Sequence, residues 1–170
     1  MRVSNILSVL FVIVLAGLTS CRVGYSFTGA SISPDVKTIT IQTFPNNAPL
    51  VMPTLSRSFT ETLRDYFTTQ TNLSLTDRGG DLTLEGSITD YSAKPVAIQG
   101  NEVAAQTRLT ITVKVKFTNR KNEKQNFETE FSRYSDFPSS QNLNAVQAQL
   151  IKEIDDQLVD DIFKKAVVNW

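Results

Sequence analysis

The chain has 170 residues, with 17 Lys and Arg against 17 Asp and Glu, no histidine and a single cysteine, Cys21. Balanced charge argues against a nucleic-acid binder, which carries a basic excess on one face. A lone cysteine excludes an intramolecular disulfide or a Cys-based metal site. The absence of histidine removes the commonest general base and metal ligand, and with them any Ser-His-Asp or HExxH arrangement. The carboxylates, lysines and tyrosines that remain form no recognisable catalytic motif, so an enzyme is not expected.

Residues 1–20 read as a signal: Arg2, an apolar run from Ile6 to Leu18, and small residues before Cys21. That run is too short to span a bilayer, which takes about 20 apolar residues. Leu18-Thr19-Ser20-Cys21 has the form of a bacterial lipobox. The Cys21 thiol would take a diacylglyceryl group, and its α-amine, freed by cleavage, a further acyl chain. Several chains hold a protein far more firmly than one. An ordinary signal with an incidental cysteine, or an uncleaved anchor helix, is the alternative. Cleavage would leave 150 residues with 16 Lys and Arg against 17 Asp and Glu, a net charge of −1, in one domain.

Residues 21–34, rich in Gly and Ser, read as a lipidated tether, and 35–170 as a single domain. Residues 38–44 (TITIQTF) alternate as a half-buried strand does, and Pro45-Asn46-Asn47 ends it. From about 52 to 69 the period becomes helical: Leu55, Phe59, Leu63 and Tyr66 form a stripe flanked by Thr62 and Phe67. Pro53 suits a first helical turn, and Arg57, Glu61, Arg64 and Asp65 lie off the stripe. Leu73 and Leu75 mark a short strand before the turn at Asp77-Arg78-Gly79-Gly80.

Residues 81–91 alternate again around Leu82, Leu84 and Ile88, and Gly86 marks a bulge or the close approach of another backbone. Residues 93–106, with Pro95 and Gly100, have no clear period and read as a long loop. In 108–118, Leu109, Ile111, Val113, Val115 and Phe117 face one way, while Arg108, Thr110, Thr112, Lys114 and Lys116 face the other. Residues 125–134 return with Phe127 and Phe131 on one face.

The two runs predict an antiparallel hairpin with Phe117 opposite Phe127, Val113 opposite Phe131, Lys116 opposite Glu128 and Lys114 opposite Glu130. A slip by one residue would set apolar side chains against charged ones along the whole ladder. Lys121-Asn122-Glu123 would connect the strands, with Asn122 or Glu123 in the left-handed region. The basic row reads more simply as cross-strand charge pairing than as an anion site.

After Pro138-Ser139-Ser140, a helix is predicted from Leu143 to about Val167 on the stripe Val146, Leu150, Ile154, Leu158, Ile162 and Ala166, widened by Leu143, Ile151 and Val159. Asp155, Asp156, Asp160 and Asp161 lack the spacing of an EF-hand loop and read as a solvated helix face. The elements add up to an α+β fold, a two-layer sandwich of two amphipathic helices on one face of a roughly four-stranded antiparallel or mixed sheet. The other sheet face stays polar.

Cys21-Arg22-Val23-Gly24-Tyr25-Ser26-Phe27, the TITI strand, the helix through Phe67 into Gln70-Thr71-Asn72-Leu73, and Asp81 to Ile88 together resemble the LptE family of lipopolysaccharide-assembly lipoproteins, in its Bacteroidetes-type branch. Asp160-Asp161-Ile162-Phe163 and Asn169-Trp170 resemble it too. The resemblance implies a non-enzymatic outer-membrane lipoprotein, facing the periplasm, that plugs and supports assembly of an LptD-type β-barrel and helps deliver lipopolysaccharide to the outer leaflet. It implies no cofactor or metal beyond the lipid on Cys21. Arg22, with no acidic residue before Asp35, suits outer-membrane sorting. Lys94, Arg108, Lys114 and Lys116 are the candidate lipopolysaccharide contacts. A periplasmic lipid carrier or a structural envelope lipoprotein is the alternative, and a carrier would need a cavity of several hundred Å³ between its layers.

Overall fold

The computed structural model describes residues 32–50, 52–96 and 106–168. Cys21, the signal and residues 22–31 lie outside these. The elements are β1 (Thr38–Ile41), α1 (Leu55–Gln70), β2 (Ser74–Leu75), β3 (Leu82–Val96), β4 (Gln106–Asn119), a 3₁₀ turn at Glu123–Gln125, β5 (Phe127–Pro138) and α2 (Leu143–Val167). They build one five-stranded sheet in the order β2-β1-β3-β4-β5. β1 runs parallel to both β2 and β3, whereas β3, β4 and β5 form an antiparallel meander. Both helices pack on one face, giving the expected α+β sandwich with β2 as a short fifth strand.

Period-2 residues of the strands meet period-3.6 stripes of the helices in one core. Ile39, Leu84, Ile88, Leu109, Ile111 and Val113 lie fully buried beneath Leu55, Phe59 and Leu63 of α1 and Ile154, Leu158 and Ile162 of α2. Edge-to-face aromatic contacts link the layers and the helices: Phe44 with Phe59 at 5.2 Å, and Phe67 with Phe163 at 5.1 Å. Leu150 to Val167 supply nine buried residues, one of them Asp155. Tyr66 is only half-buried, because its hydroxyl reaches out to donate to Asp160 Oδ1 at 2.9 Å. α1 begins at Leu55 with Thr54 as its N-cap, so Pro53 precedes the helix instead of entering its first turn.

Gly86 marks a close approach: a Cβ there would sit 2.0 Å from the carbonyl oxygen of Lys114 and 2.7 Å from the Phe44 ring. The bulge falls two residues later, between Ile88 and Asp90. Three further expectations are corrected. Residues 93–96 are strand, and β3 pairs with β4 through Val96↔Gln106. Pro95 is tolerated because β1 ends at Ile41, leaving this half of β3 an edge where a missing N–H breaks no ladder bond.

The β4–β5 connection spans 120–126, not three residues, and Asn122 has φ −146°, outside the left-handed region. Buried Asn119 organises it, its Oδ1 accepting from the N–H groups of Lys121 and Asn122 and its Nδ2 donating to Gln125 at 2.6 Å. Asp155, read as part of a solvated face, is fully buried between the helices, where Ser58 Oγ donates to its Oδ2 at 3.0 Å.

Candidate functional site: the uncovered face of the sheet

The face that the helices leave open is built by alternation. Residues 83, 85 and 87 of β3, then 90, 92 and 94 beyond the bulge, lie beside the even-numbered residues of β4 and β5. Ser and Thr dominate its middle, and Thr112 Oγ1 shares a hydrogen bond with Ser132 Oγ at 3.0 Å. The four candidate basic residues all fall on this face but form two groups, because Arg108 and Lys114 are six residues, or about 20 Å, apart along β4.

At one end Arg108 donates to both oxygens of Asp136 at 2.8 Å and stacks 3.6 Å over the Tyr134 ring. Lys94 lies beside it in register, exposed and without an ion pair among the described residues. At the other end the register matches expectation, with Lys116↔Glu128 and Lys114↔Glu130 as Cα partners. The contacts themselves differ: Lys114 Nζ reaches diagonally to Glu128 at 2.6 Å, and Lys116 Nζ turns to its direct partner on β3, Glu85, at 2.7 Å. The sequence reading missed Glu85, because it paired β4 with β5 alone.

These bonds raise the Lys114 and Lys116 pKa values and lower that of Glu128. Arg108 likewise holds the Asp136 carboxyl below the usual carboxylate range. Around an open cleft of ≈ 350 Å³ between Gln42, Gly86 and Ser87, two cations are thus matched by two carboxylates. The cluster is neutral overall, and Lys94 is the cation of the row left uncompensated.

Two acidic residues outside this face were also missed. Asp81 accepts from the N–H groups of Lys37 and Thr38 and from the Thr38 hydroxyl, and these donors pull its pKa down to about 2. It latches the start of β1 to β3. Burial pushes Asp155 up to about 7. Among the described residues, no group of three or more acidic or cysteine side chains is arranged to hold a metal ion, and no helix is long and apolar enough to cross a membrane.

The chain is thus a two-layer α+β sandwich with one open, hydroxyl-rich, charge-matched face. The LptE family model, described as lipopolysaccharide-assembly, matches residues 36–166, and the chain belongs to that family. No curated protein matches the chain. Among solved structures it is similar to a minor lipoprotein from Acinetobacter baumannii, at 15% identity and TM-score 0.52, covering 76% of this chain and 91% of that one. It is also similar to the hypothetical protein CT253 from Chlamydia trachomatis, at 7% identity and TM-score 0.53, covering 79% and 99%. These two likenesses concern the fold.

Proposed function

We propose that this chain is the lipoprotein partner of an LptD-type β-barrel in the outer membrane. Anchored by acyl chains on Cys21, it faces the periplasm, plugs the barrel lumen, supports barrel assembly and helps deliver lipopolysaccharide to the outer leaflet without catalysing a reaction. The match to the lipopolysaccharide-assembly family over residues 36–166 carries the reading. The open polar face supports it, since a lumen wall is itself polar. The packing speaks against a lipid carrier: side chains fill the space beneath both helices, and the cleft of ≈ 610 Å³ at Phe127 and Phe131 opens to solvent at the rim of the layers. Among the described residues of the open face, Lys94 is the cation free to meet a phosphate.

Affinity isolation from detergent-solubilised outer membranes should recover a β-barrel identifiable by mass spectrometry, and depletion should lower both folded barrel and surface lipopolysaccharide. Normal levels of both after depletion would sink the proposal. Cys21→Ser should leave the N-terminus unprocessed and release the chain from the membrane fraction, and a mature terminus elsewhere than residue 21 would count against the anchor.

A further inference from the structure

The two edges of the sheet are built differently. β2 offers two residues at one edge, whereas β5 runs twelve residues at the other, in unbroken register with β4. Sheets guard exposed edges by shortening them, by placing charged side chains along them or by adding bulges and prolines, and of these β5 has only the charges, Glu128, Glu130, Arg133 and Asp136. β5 has no bulge, and its one proline is its last residue, Pro138.

The direction of its main-chain groups follows from bonds at the other side of the sheet. Gln42 N–H donates to Leu84 O and Ile88 N–H to Pro45 O, so even-numbered residues of this part of β3 point toward β1 and odd-numbered ones toward β4. Alternation carried through Glu85↔Lys116 and Val115↔Thr129 turns the odd-numbered residues of β5 toward β4. The N–H and C=O groups of Glu128, Glu130, Ser132, Tyr134 and Asp136 therefore face outward. Among the described residues no main-chain bond reaches them.

We infer that this edge pairs antiparallel with the same edge of a second copy, across a two-fold axis at Phe131. A two-fold normal to the sheet keeps each face on its own side, so outward-pointing even residues must meet even residues. Centring on Ser132 sets Glu128 against Asp136, and centring on Glu130 or Arg133 sets each against itself. Centring on Tyr134 leaves the aromatic end of β5 unpaired.

Centring on Phe131 stacks Phe131 on its copy and sets Glu130 against Ser132, Glu128 against Tyr134 and Thr129 against Arg133, with no like charges opposed. It also brings unlike charges together. Lys124 and Lys165 flank Phe127 at one end without an ion pair among the described residues, Lys165 Nζ lying 5.2 Å from the Phe127 ring centre. At the Ser135 end Glu153 accepts from Ser135 and Gln149 and has no cationic partner among the described residues. The two-fold places each end beside the other's. This pairing belongs to the free chain and does not rest on the barrel reading.

Sedimentation equilibrium of the full chain in density-matched detergent tests it. The expected result is a monomer–dimer equilibrium that Ser132→Lys tightens and Ser132→Asp loosens, each by roughly 2- to 30-fold, since the pair with Glu130 occurs twice per dimer. Ser132→Pro removes an outward N–H and leaves the β4–β5 ladder whole. It should abolish the dimer while the far-UV circular dichroism spectrum stays unchanged. A monomer at the highest attainable concentration, a dimer that survives Ser132→Pro, or loosening by both charge substitutions would overturn the inference.

Discussion

Asp155 stays protonated in the folded chain up to about pH 7, because burial between the helices penalises its charge more than the Ser58 hydrogen bond and the neighbouring Asp156 alter it. The unfolded chain gives up that proton near 3.8. Between these values the folded state binds more protons, so stability falls as pH rises from about 4 to 7 and is flat above. At 1.36 kcal/mol per pKa unit the change is up to about 4 kcal/mol. Asp155→Asn should remove this slope and raise the urea midpoint at pH 8, where the wild type buries a charge. An unchanged midpoint-against-pH curve would show that Asp155 is solvated. Asp81, Asp136 and Asp160, whose pKa values are lowered, act in the opposite sense and supply the acid limb below about pH 4. The burial of Asp155 was legible: it follows Ile151 by four residues and precedes Val159 by four, on the stripe itself. Reading it with its acidic neighbours hid that. Gly86 was legible for the same kind of reason, a missing side chain in an alternating run. Gly86→Ala would drive a methyl into the Lys114 carbonyl and should cost about 1–3 kcal/mol. Urea unfolding with an unchanged m-value would measure it.

Elements were legible where two patterns constrained each other. In β4 and β5 the apolar face and the charged face demand the same register, and the observed pairing Phe117↔Phe127 through Lys114↔Glu130 obeys both. Where only one pattern acted, the reading failed. Residues 93–96 look irregular because Pro95 breaks the sequence signal, yet on an edge it breaks no hydrogen bond. The 120–126 connection was misread because hairpin statistics favour short loops, while here the side chain of one buried asparagine dictates the path. Asn119→Ala strands the N–H groups of Lys121 and Asn122 and should cost about 1–3 kcal/mol. Thermal unfolding would register the loss, and hydrogen exchange at those two amides should quicken before that of the β4 core does.

At the scale of the molecule, both helices crowd one side of the sheet and leave the other open, so the chain has one face shaped by packing and one free to dock. If the open face lies against a barrel wall, its flatness matters more than any single charge on it. Thr110 tests this: it sits in mid-sheet with Ser92 and Tyr134 as its cross-strand neighbours and makes no side-chain hydrogen bond among the described residues. Thr110→Arg places a long cation there and, as a surface change, should leave stability within about 0.5 kcal/mol. Gln157→Arg adds the same side chain to the exposed side of α2. Co-isolation of the barrel with each variant, normalised to its own membrane level, should fall several-fold for Thr110→Arg and hold for Gln157→Arg. Equal recovery of both would mean that the open face of the sheet is not the docking face, and the helices would then have to supply it.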